Sequence, residues 1–472
     1  MRVAEPLWTV GEIAKAIRGE ASQDGEAPVA GVSIDTRTLQ PGECFVAIRG
    51  IALDGHEFVP AAFEAGAACA IVDRDYESSD PRLIRVADAF EALQDLGRAA
   101  RDRTTRTRII AVTGSAGKTG TKEALRLALA PSGKVHASAK SYNNHWGVPL
   151  TLANMPKDAA FGVFEAGMNH AGELTPLSRM IRPHIAIVTT VAPVHIGHFN
   201  SLAEIADAKA EIFEGLELGG AAILNKDNEF FDRLATAAKA RNATIVSFGE
   251  AENSDFRLLH VSLTPEGSAV EADLRGKTHS YRLGAPGRHL VQNSLAVLAA
   301  AEAAGADIEA GAAALLQWRA QAGRGEWQVF EGAKGKVAVV DDAYNANPAS
   351  MRAALETLGL VPREAYGRRI AVLGDMLELG ESAEAFHRDL AKFIDEAGID
   401  IVFASGELIS ALYDVLPEGK KGGYASEPGE LVPRVLDAIR PGDIVMVKGS
   451  YGARLAPLVT ELKRHLEDGA LN

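Results

Sequence analysis

The stretch Ile109-Ile110-Ala111-Val112-Thr113-Gly114-Ser115-Ala116-Gly117-Lys118-Thr119 constrains this chain more than any other. A short β-branched run, a glycine turn, a Lys-Thr pair and then an apparent helix, Thr121 to Ala130, read as strand, phosphate loop, helix. Glycines let backbone N–H groups curl round a phosphate, and the helix adds the positive end of its dipole. Lys118 is then placed to reach terminal phosphates, and the Thr119 hydroxyl to hold a magnesium ion. The strict pattern wants its first glycine at position 112, where valine stands, so the loop is the shorter Gly-x-x-Gly-Lys-Thr.

Such a unit implies a parallel sheet, and the following residues continue one. Phe161 to Glu165, Ile185 to Val191, Ala221 to Leu224 and Thr244 to Phe248 read as buried strands separated by helical segments, a sheet covered on both faces. Chemistry in such sheets gathers beyond the strand C-termini, where Thr119, Glu165 and His195 all fall. From Phe256 to Leu283 short alternating strands predict a small antiparallel addition, and a helix follows over His289 to Ala304, with His289 and Asn293 on one face.

With 472 residues and about 150 per domain, three domains are expected. Residues 1–107 read as a small α/β domain: a helix over Leu7 to Ile17, strands on either side of the Pro41-Gly42 turn, a helix over Val59 to Ala68 and a strand over Ala70 to Val72. Residues 108–319 form the central phosphate-loop domain, with its parallel sheet and antiparallel addition. Residues 320–472 have strand candidates at Val337 to Asp341, Arg369 to Leu373, Ile401 to Ala404 and Ile444 to Val447, with Asn347-Pro348 capping a helix. This third α/β unit is Rossmann-like but lacks Gly-x-Gly-x-x-Gly after its first strand, which argues against a separate dinucleotide site.

The balance of 49 basic against 63 acidic residues, net -14, argues against a general nucleic-acid or membrane-surface role. An anionic small substrate stays compatible, because a metal ion and a few local cations can bind one. Cys44 and Cys69 lie outside any Cys-x-x-Cys motif and read as buried thiols in a reducing cytosol rather than a disulfide. No apolar signal core and no run of ~18 apolar residues occurs, so a cytoplasmic chain without a membrane span is expected.

Two positions admit competing readings. Asp35 and Arg37 read either as a local surface ion pair or as part of a site. Ser201 and Glu204 form a capping box, after which Leu202, Ile205, Lys209 and Ile212 share one helix face. Lys209 on that apolar face is either a lysine snorkelling to water or a buried amine that tends to lose its proton.

The motifs together resemble the Mur ligases, ATP-dependent amide-bond-forming enzymes of peptidoglycan precursor synthesis. The resemblance rests on Asp35-Thr36-Arg37 with Pro41-Gly42, Asp54-Gly55-His56, the phosphate loop, Asn143-Asn144 with Gly147-Val148-Pro149, and Glu165 to His170 with Gly172-Glu173. It continues through Ala208-Lys209, Gly287-Arg288-His289 with Asn293, Asp342 to Pro348, Gly374 to Gly380 and Lys448-Gly449-Ser450. Within the family, Tyr344-Asn345-Ala346-Asn347-Pro348 and Gly374-Asp375-Met376-Leu377-Glu378-Leu379-Gly380 resemble the dipeptide-adding member. Ala116 and Gly120 depart from the family's frequent Asn and Thr.

The resemblance implies a monomer with one domain for a UDP-sugar, one for ATP and a mobile one for the incoming amine, hinged near Ala320 to Gly325. The substrates it implies are UDP-N-acetylmuramoyl-tripeptide, D-alanyl-D-alanine and ATP, joined through an acyl phosphate. Lys118, Glu165, His195 and Lys209 are then catalytic, and Thr119, Glu165, His195 and Lys209 serve two magnesium ions, Lys209 as a carbamate. Gly114, Ser115, Ala116, Gly117, Lys118, Thr119, His289, Asn293, Arg324, Asp342 and Tyr344 would bind ATP. Ser33, Asp35, Arg37, Asp54, His56, Asn143, Asn144, Asn169, His170 and Lys448 would bind the other substrates. A Mur or folylpolyglutamate synthetase-type ligase with another amine, and a non-catalytic phosphate-loop module, remain as alternatives.

Overall fold

Each of the three sequence units builds its own main sheet. The computed structural model describes residues 6–50, 53–138, 141–193, 199–264, 267–320 and 322–469. His195 lies outside the described residues.

In the first unit, helix α1 (Val10–Ala16) starts later than the pattern from Leu7 predicts. Thr9 and Glu12 close a reciprocal capping box there, and Trp8–Thr9 pairs as a short strand with Pro28–Val29. Parallel strands β1 (Gly31–Ser33), β2 (Glu43–Val46), β3 (Cys69–Asp73) and β4 (Leu83–Val86) lie side by side, with Glu20–Ala21 antiparallel on the far edge. Between them a helix covers Val59–Glu64 and stops before Ala68, because the chain turns at Gly66 with φ +95°. Helix α2 (Ala89–Arg103), capped by Asp88, buries Ala92, Leu93, Leu96 and Ala100 in the unit's core. Cys44 and Cys69 are register partners on β2 and β3, both free and buried.

The central unit runs from β5 (Arg108–Thr113) and α3 (Lys118–Leu129) through β6 (Val135–Ala137), α4 (Gly147–Ala153), β7 (Phe161–Glu165), α5 (Leu174–Ile181) and β8 (Ile185–Val188). It continues with α6 (Leu202–Ala210), β9 (Ala221–Asn225), β10 (Thr244–Gly249), β11 (Phe256–Thr264), β12 (Gly267–Leu274), β13 (Lys277–Leu283) and α7 (Arg288–Ala303). The sheet order is β13-β12-β11-β10-β9-β8-β5-β7-β6. The antiparallel addition is continuous with the main sheet, since β11 runs parallel to β10 through Phe248 opposite Phe256. Strand β8 ends at Val188 and not at Val191, because residues 189–192 bond to the phosphate loop instead of a strand: Thr189 N–H to Thr113 O, and Ser115 N–H to Thr190 O.

The third unit comprises β14 (Glu326–Gly332), β15 (Gly335–Asp342), α8 (Pro348–Gly359), β16 (Arg368–Gly374), α9 (Ala383–Glu396), β17 (Ile401–Ser405), β18 (Lys421–Ala425), α10 (Pro428–Ala438), β19 (Asp443–Lys448) and α11 (Ala456–Glu467). Its order is β14-β15-β19-β16-β17-β18, all parallel except the edge strand β14. Helices α8 and α9 bury Met351, Leu355, Leu390 and Ile394 on one face, and α10 and α11 bury Leu431, Val435, Leu458 and Val459 on the other. Asn347 caps α8 with Pro348 in its first turn, as the sequence predicts.

Candidate active site

The phosphate loop turns into its helix sooner than expected. Helix α3 starts at Lys118 and not at Thr121, because Gly117 sits at φ +82° and carries the chain directly into the first turn. Contacts from other parts of the chain require both loop glycines. A Cβ on Gly114, φ +149°, would lie 1.9 Å from Thr189 Oγ1, and one on Gly117 would lie 2.6 Å from Asn293 Nδ2. Asn293 therefore stands against the loop itself. Ser115 is already engaged: its Oγ donates to Ala192 O at 3.0 Å and accepts the Ala192 N–H at 2.9 Å. Thr189 Oγ1 donates to Ala116 O at 2.5 Å.

Lys118 Nζ donates to Gly114 O at 2.8 Å, across the mouth of the loop. Burial pushes its ammonium below the usual lysine range, the Arg324 charge acts the same way, and Glu165 opposes both. Thr119 Oγ1 donates to Glu165 Oε2 at 2.9 Å, and Asn143 Nδ2 donates to Glu165 Oε1 at 2.8 Å. Glu165 is the last residue of β7, which pairs with β5, and this register brings the carboxylate to the start of α3. A buried carboxylate beside a hydroxyl is a pair of hard oxygen donors, which fits a small divalent cation.

Helix α6 starts as the sequence predicts, with Ser201 Oγ accepting the Glu204 N–H. The box is not reciprocal: the Glu204 carboxylate takes the Asn200 N–H at 2.9 Å. Lys209 is 3% exposed, and among the described residues no hydrogen bond or ion pair to its side-chain amine is found. Burial holds its amine well below the usual lysine range, and the Lys118 charge adds to the effect. The buried reading of Lys209 therefore holds over snorkelling.

From the third unit, Arg324 reaches the same place. Flanked by Gly323 and Gly325, at φ +74° and +89°, its guanidinium lies 4.3 Å over the Tyr344 ring, and Nη2 donates to Ser141 Oγ at 3.2 Å. Ser141 Oγ is also 3.2 Å from Thr119 Oγ1. Asp342 and Lys448 end adjacent strands as register partners and form a 2.8 Å ion pair, with Lys448 Nζ also donating to Asn345 O at 2.8 Å. Burial raises the Asp342 carboxyl above its ordinary range although Lys448 pulls it down. A cavity of about 330 Å³ joins the two units, lined by Gly117, His289, Asn293, Arg324, Asp342 and Lys448.

The remaining expected residues are local. Arg37 binds Asp35 through Nε and Nη2 at 2.8 and 2.7 Å, and Ser33 Oγ bonds the Asp35 backbone. His56 is buried: Nδ1–H donates to Asp54 Oδ1 at 2.6 Å and Nε2 accepts the Asp73 N–H at 3.0 Å. Asn144 Oδ1 caps the Trp146 and Gly147 N–H groups at the start of α4. His170 Nδ1 and the Asn169 N–H both meet the exposed Glu173 carboxylate. Sequence reasoning missed Ser141 and Thr189. Ser141 stands two residues before Asn143, the nearest available signal; nothing local marks Thr189.

Three family models match this chain: "Mur ligase family, catalytic domain" over residues 28–101, "Mur ligase middle domain" over 112–301, and "Mur ligase, glutamate ligase domain" over 323–451. A curated relative, the UDP-N-acetylmuramoyl-tripeptide–D-alanyl-D-alanine ligase of Rickettsia prowazekii, is 32% identical over 91% of this chain and 94% of its own length. Among solved structures, a crystal structure of MurF from Acinetobacter baumannii is similar at TM-score 0.85 and 29% identity, covering 98% of this chain and 100% of that one. MurF ligase from Thermotoga maritima, crystallised in complex with ADP, is similar at TM-score 0.77 and 25% identity, covering 93% and 98%.

Proposed function

The chain belongs to the Mur ligase family, and from that premise we propose that it joins D-alanyl-D-alanine to UDP-N-acetylmuramoyl-tripeptide, converting ATP to ADP and phosphate. The observation that carries this reading is that the Arg324 arm of the third unit meets the Thr119–Glu165 pair through Ser141, beside Lys118 and at the edge of the cavity that Gly117 and Arg324 line between the two units. We assign residues 1–107 to the UDP-sugar, 108–319 to ATP, and 320–472 to the dipeptide and part of the nucleotide. The reading is of a monomer working in the cytoplasm; among the described residues no helix is long and apolar enough to cross a membrane.

In the first step the acceptor carboxylate attacks the γ-phosphorus; a new O–P bond forms, the β–γ bridging O–P bond breaks, and ADP leaves. Two anions approach each other here, so the reaction needs positive charge. The Lys118 ammonium supplies it on one side and the Arg324 guanidinium on the other. Thr119, Glu165 and Lys209, the last as a carbamate, would hold magnesium. When bound, magnesium would neutralise phosphate charge. In the second step the neutral dipeptide amine attacks the acyl carbon, the C–O bond to phosphate breaks, and the amide forms as the nitrogen gives up a proton and hydrogen phosphate leaves.

Phosphate release measured across UDP-linked tripeptides with D-alanyl-D-alanine, single amino acids and glutamate tests this, with the pentapeptide product identified by mass. Turnover with single amino acids or glutamate in preference to the dipeptide would replace this reading with that of another ligase.

A further inference from the structure

Arg324 meets the phosphate loop through a single hydroxyl, and the hydrogens along that path can be counted. Thr119 Oγ1 has one hydrogen, which it donates to Glu165 Oε2 at 2.9 Å. The 3.2 Å contact between Thr119 Oγ1 and Ser141 Oγ must then carry the hydrogen of Ser141. Ser141 Oγ is left with lone pairs alone for Arg324 Nη2, 3.2 Å away, and a guanidinium can only donate. Every hydrogen therefore points one way, from Arg324 through Ser141 and Thr119 to Glu165. A chain that runs from a cation to a carboxylate polarises each member in the same direction, which strengthens all three bonds.

Ser141 and Arg324 are held differently. Ser141 is tied into the central unit on both sides. Three residues before it, the fully buried Lys122 of α3 donates to Ser138 O at 2.7 Å. Two residues after it, the Asn143 N–H returns to Ser141 O at 2.9 Å, Asn143 Nδ2 holds Glu165, and Asn143 O accepts the Gly167 N–H at 2.8 Å. Arg324 belongs to the third unit, on an arm between two left-handed glycines, with its guanidinium over the Tyr344 ring. Among the described residues the only hydrogen-bond acceptor that guanidinium meets is Ser141 Oγ. Its charge also acts on Lys118, and two cations so placed repel each other until an anion enters between them. The Ser141 hydroxyl holds the arm against that repulsion.

We propose that Ser141 is a positioning residue: its hydroxyl keeps the Arg324 guanidinium at the phosphate loop before the nucleotide arrives and aligns it for the transferring phosphoryl group. A cation already in place loses little to reorganisation when charge develops in the transition state. The proposal rests on the phosphoryl step of the function given above and not on the identity of the amine.

The test uses the full-length chain, its Ser141→Ala and Arg324→Ala variants, the double variant, and Ser141→Thr. In Ser141→Ala kcat falls about tenfold to a hundredfold, the scale of one hydrogen bond to a charged group. The KM values for all three substrates stay within about twofold. Ser141→Thr keeps the hydroxyl and restores most of kcat. In the Arg324→Ala background the Ser141→Ala change costs less than about twofold, because the group it positions is gone. Amide hydrogen exchange, followed by mass spectrometry without any substrate, rises over residues 322–326 in Ser141→Ala and is unchanged in β5. An equal loss of kcat in both backgrounds, an unchanged kcat in Ser141→Ala, or unaltered exchange over 322–326 overturns the assignment. Absence of turnover with every acceptor in the unaltered protein is a different result. It overturns the proposed function, and the exchange measurement, which needs no substrate, then decides whether Ser141 holds the arm.

Discussion

The side-chain amide of Asn154 grips both backbone polar groups of Val32: Oδ1 accepts the Val32 N–H at 2.9 Å, and Nδ2 donates to the Val32 carbonyl at 2.9 Å. Asn154 ends α4 of the central unit, and Val32 is the middle residue of edge strand β1 in the first. The amide acts as one residue of a missing neighbouring strand, covering an open sheet edge. Trp8 Nε1, donating to Ala153 O at 2.8 Å, adds a second bolt beside it.

Asn154→Ala leaves a buried donor and acceptor of Val32 unpaired. The expected loss is on the order of 2 kcal/mol of stability. Urea unfolding measures it. Because β1 leads into Ser33, Asp35 and Arg37, the KM for the UDP-linked substrate should rise in the same variant while that for ATP holds.

Lys118→Ala removes the cation that spans the loop mouth without touching the core of the sheet. Turnover should fall by roughly a hundredfold to a thousandfold, the scale seen when one electrostatic stabiliser is deleted. Thermal melting should stay close to that of the unaltered protein. A folded variant with near-normal turnover would contradict the site.

Burial holds the Lys209 amine well below the usual lysine range, which favours its neutral form, and a neutral amine adds carbon dioxide to give a carbamate. Lys209→Ala should be nearly inactive, with part of the activity restored by short carboxylic acids that refill the space. Labelled carbon dioxide followed by NMR should report a carbamate signal in the unaltered protein and none in the variant.

His387 carries a pH dependence whose sign follows from its bonds. It is fully buried; Nδ1–H donates to Ala383 O at 2.7 Å and Nε2 accepts the Met376 N–H at 2.9 Å. Burial pushes its pKa below the ordinary histidine value. The unfolded chain, at about 6.5, therefore takes a proton first as pH falls. The stability His387 contributes is complete above that value and is lost progressively as pH drops toward the lower folded value. Urea midpoints measured from pH 7.5 downward should fall less steeply in His387→Gln than in the unaltered protein. Equal slopes would remove His387 from the account.

Much of the site was legible because its signals are local. The phosphate loop, Glu165 at a strand end, and Asn347-Pro348 at a helix start are each written within a few neighbouring residues. So are the strand runs, because a β-branched run bounded by turns has few other solutions. Lys209 was half legible: its spacing put it on an apolar face, but the fold was needed to choose between snorkelling and a buried amine.

The rest depended on contacts between residues far apart in sequence. Ile185 to Val191 reads as one strand by propensity, yet residues 189–192 leave the sheet to bond the phosphate loop, and propensity carries no information about that competitor. The early start of α3 follows from a left-handed Gly117 packed against Asn293, and Ser141 and Thr189 act only because the fold delivers them to Thr119 and Gly114. Asp35 and Arg37, and His56 with Asp54 and Asp73, bond within the first unit, which spacing alone could not decide. The sequence by itself determined the local units and the chemistry each can carry, because backbone propensity and side-chain type act over a few residues. Only the tertiary structure decided which of those groups meet, because strand register and packing between sheets set distances that no spacing along the chain encodes.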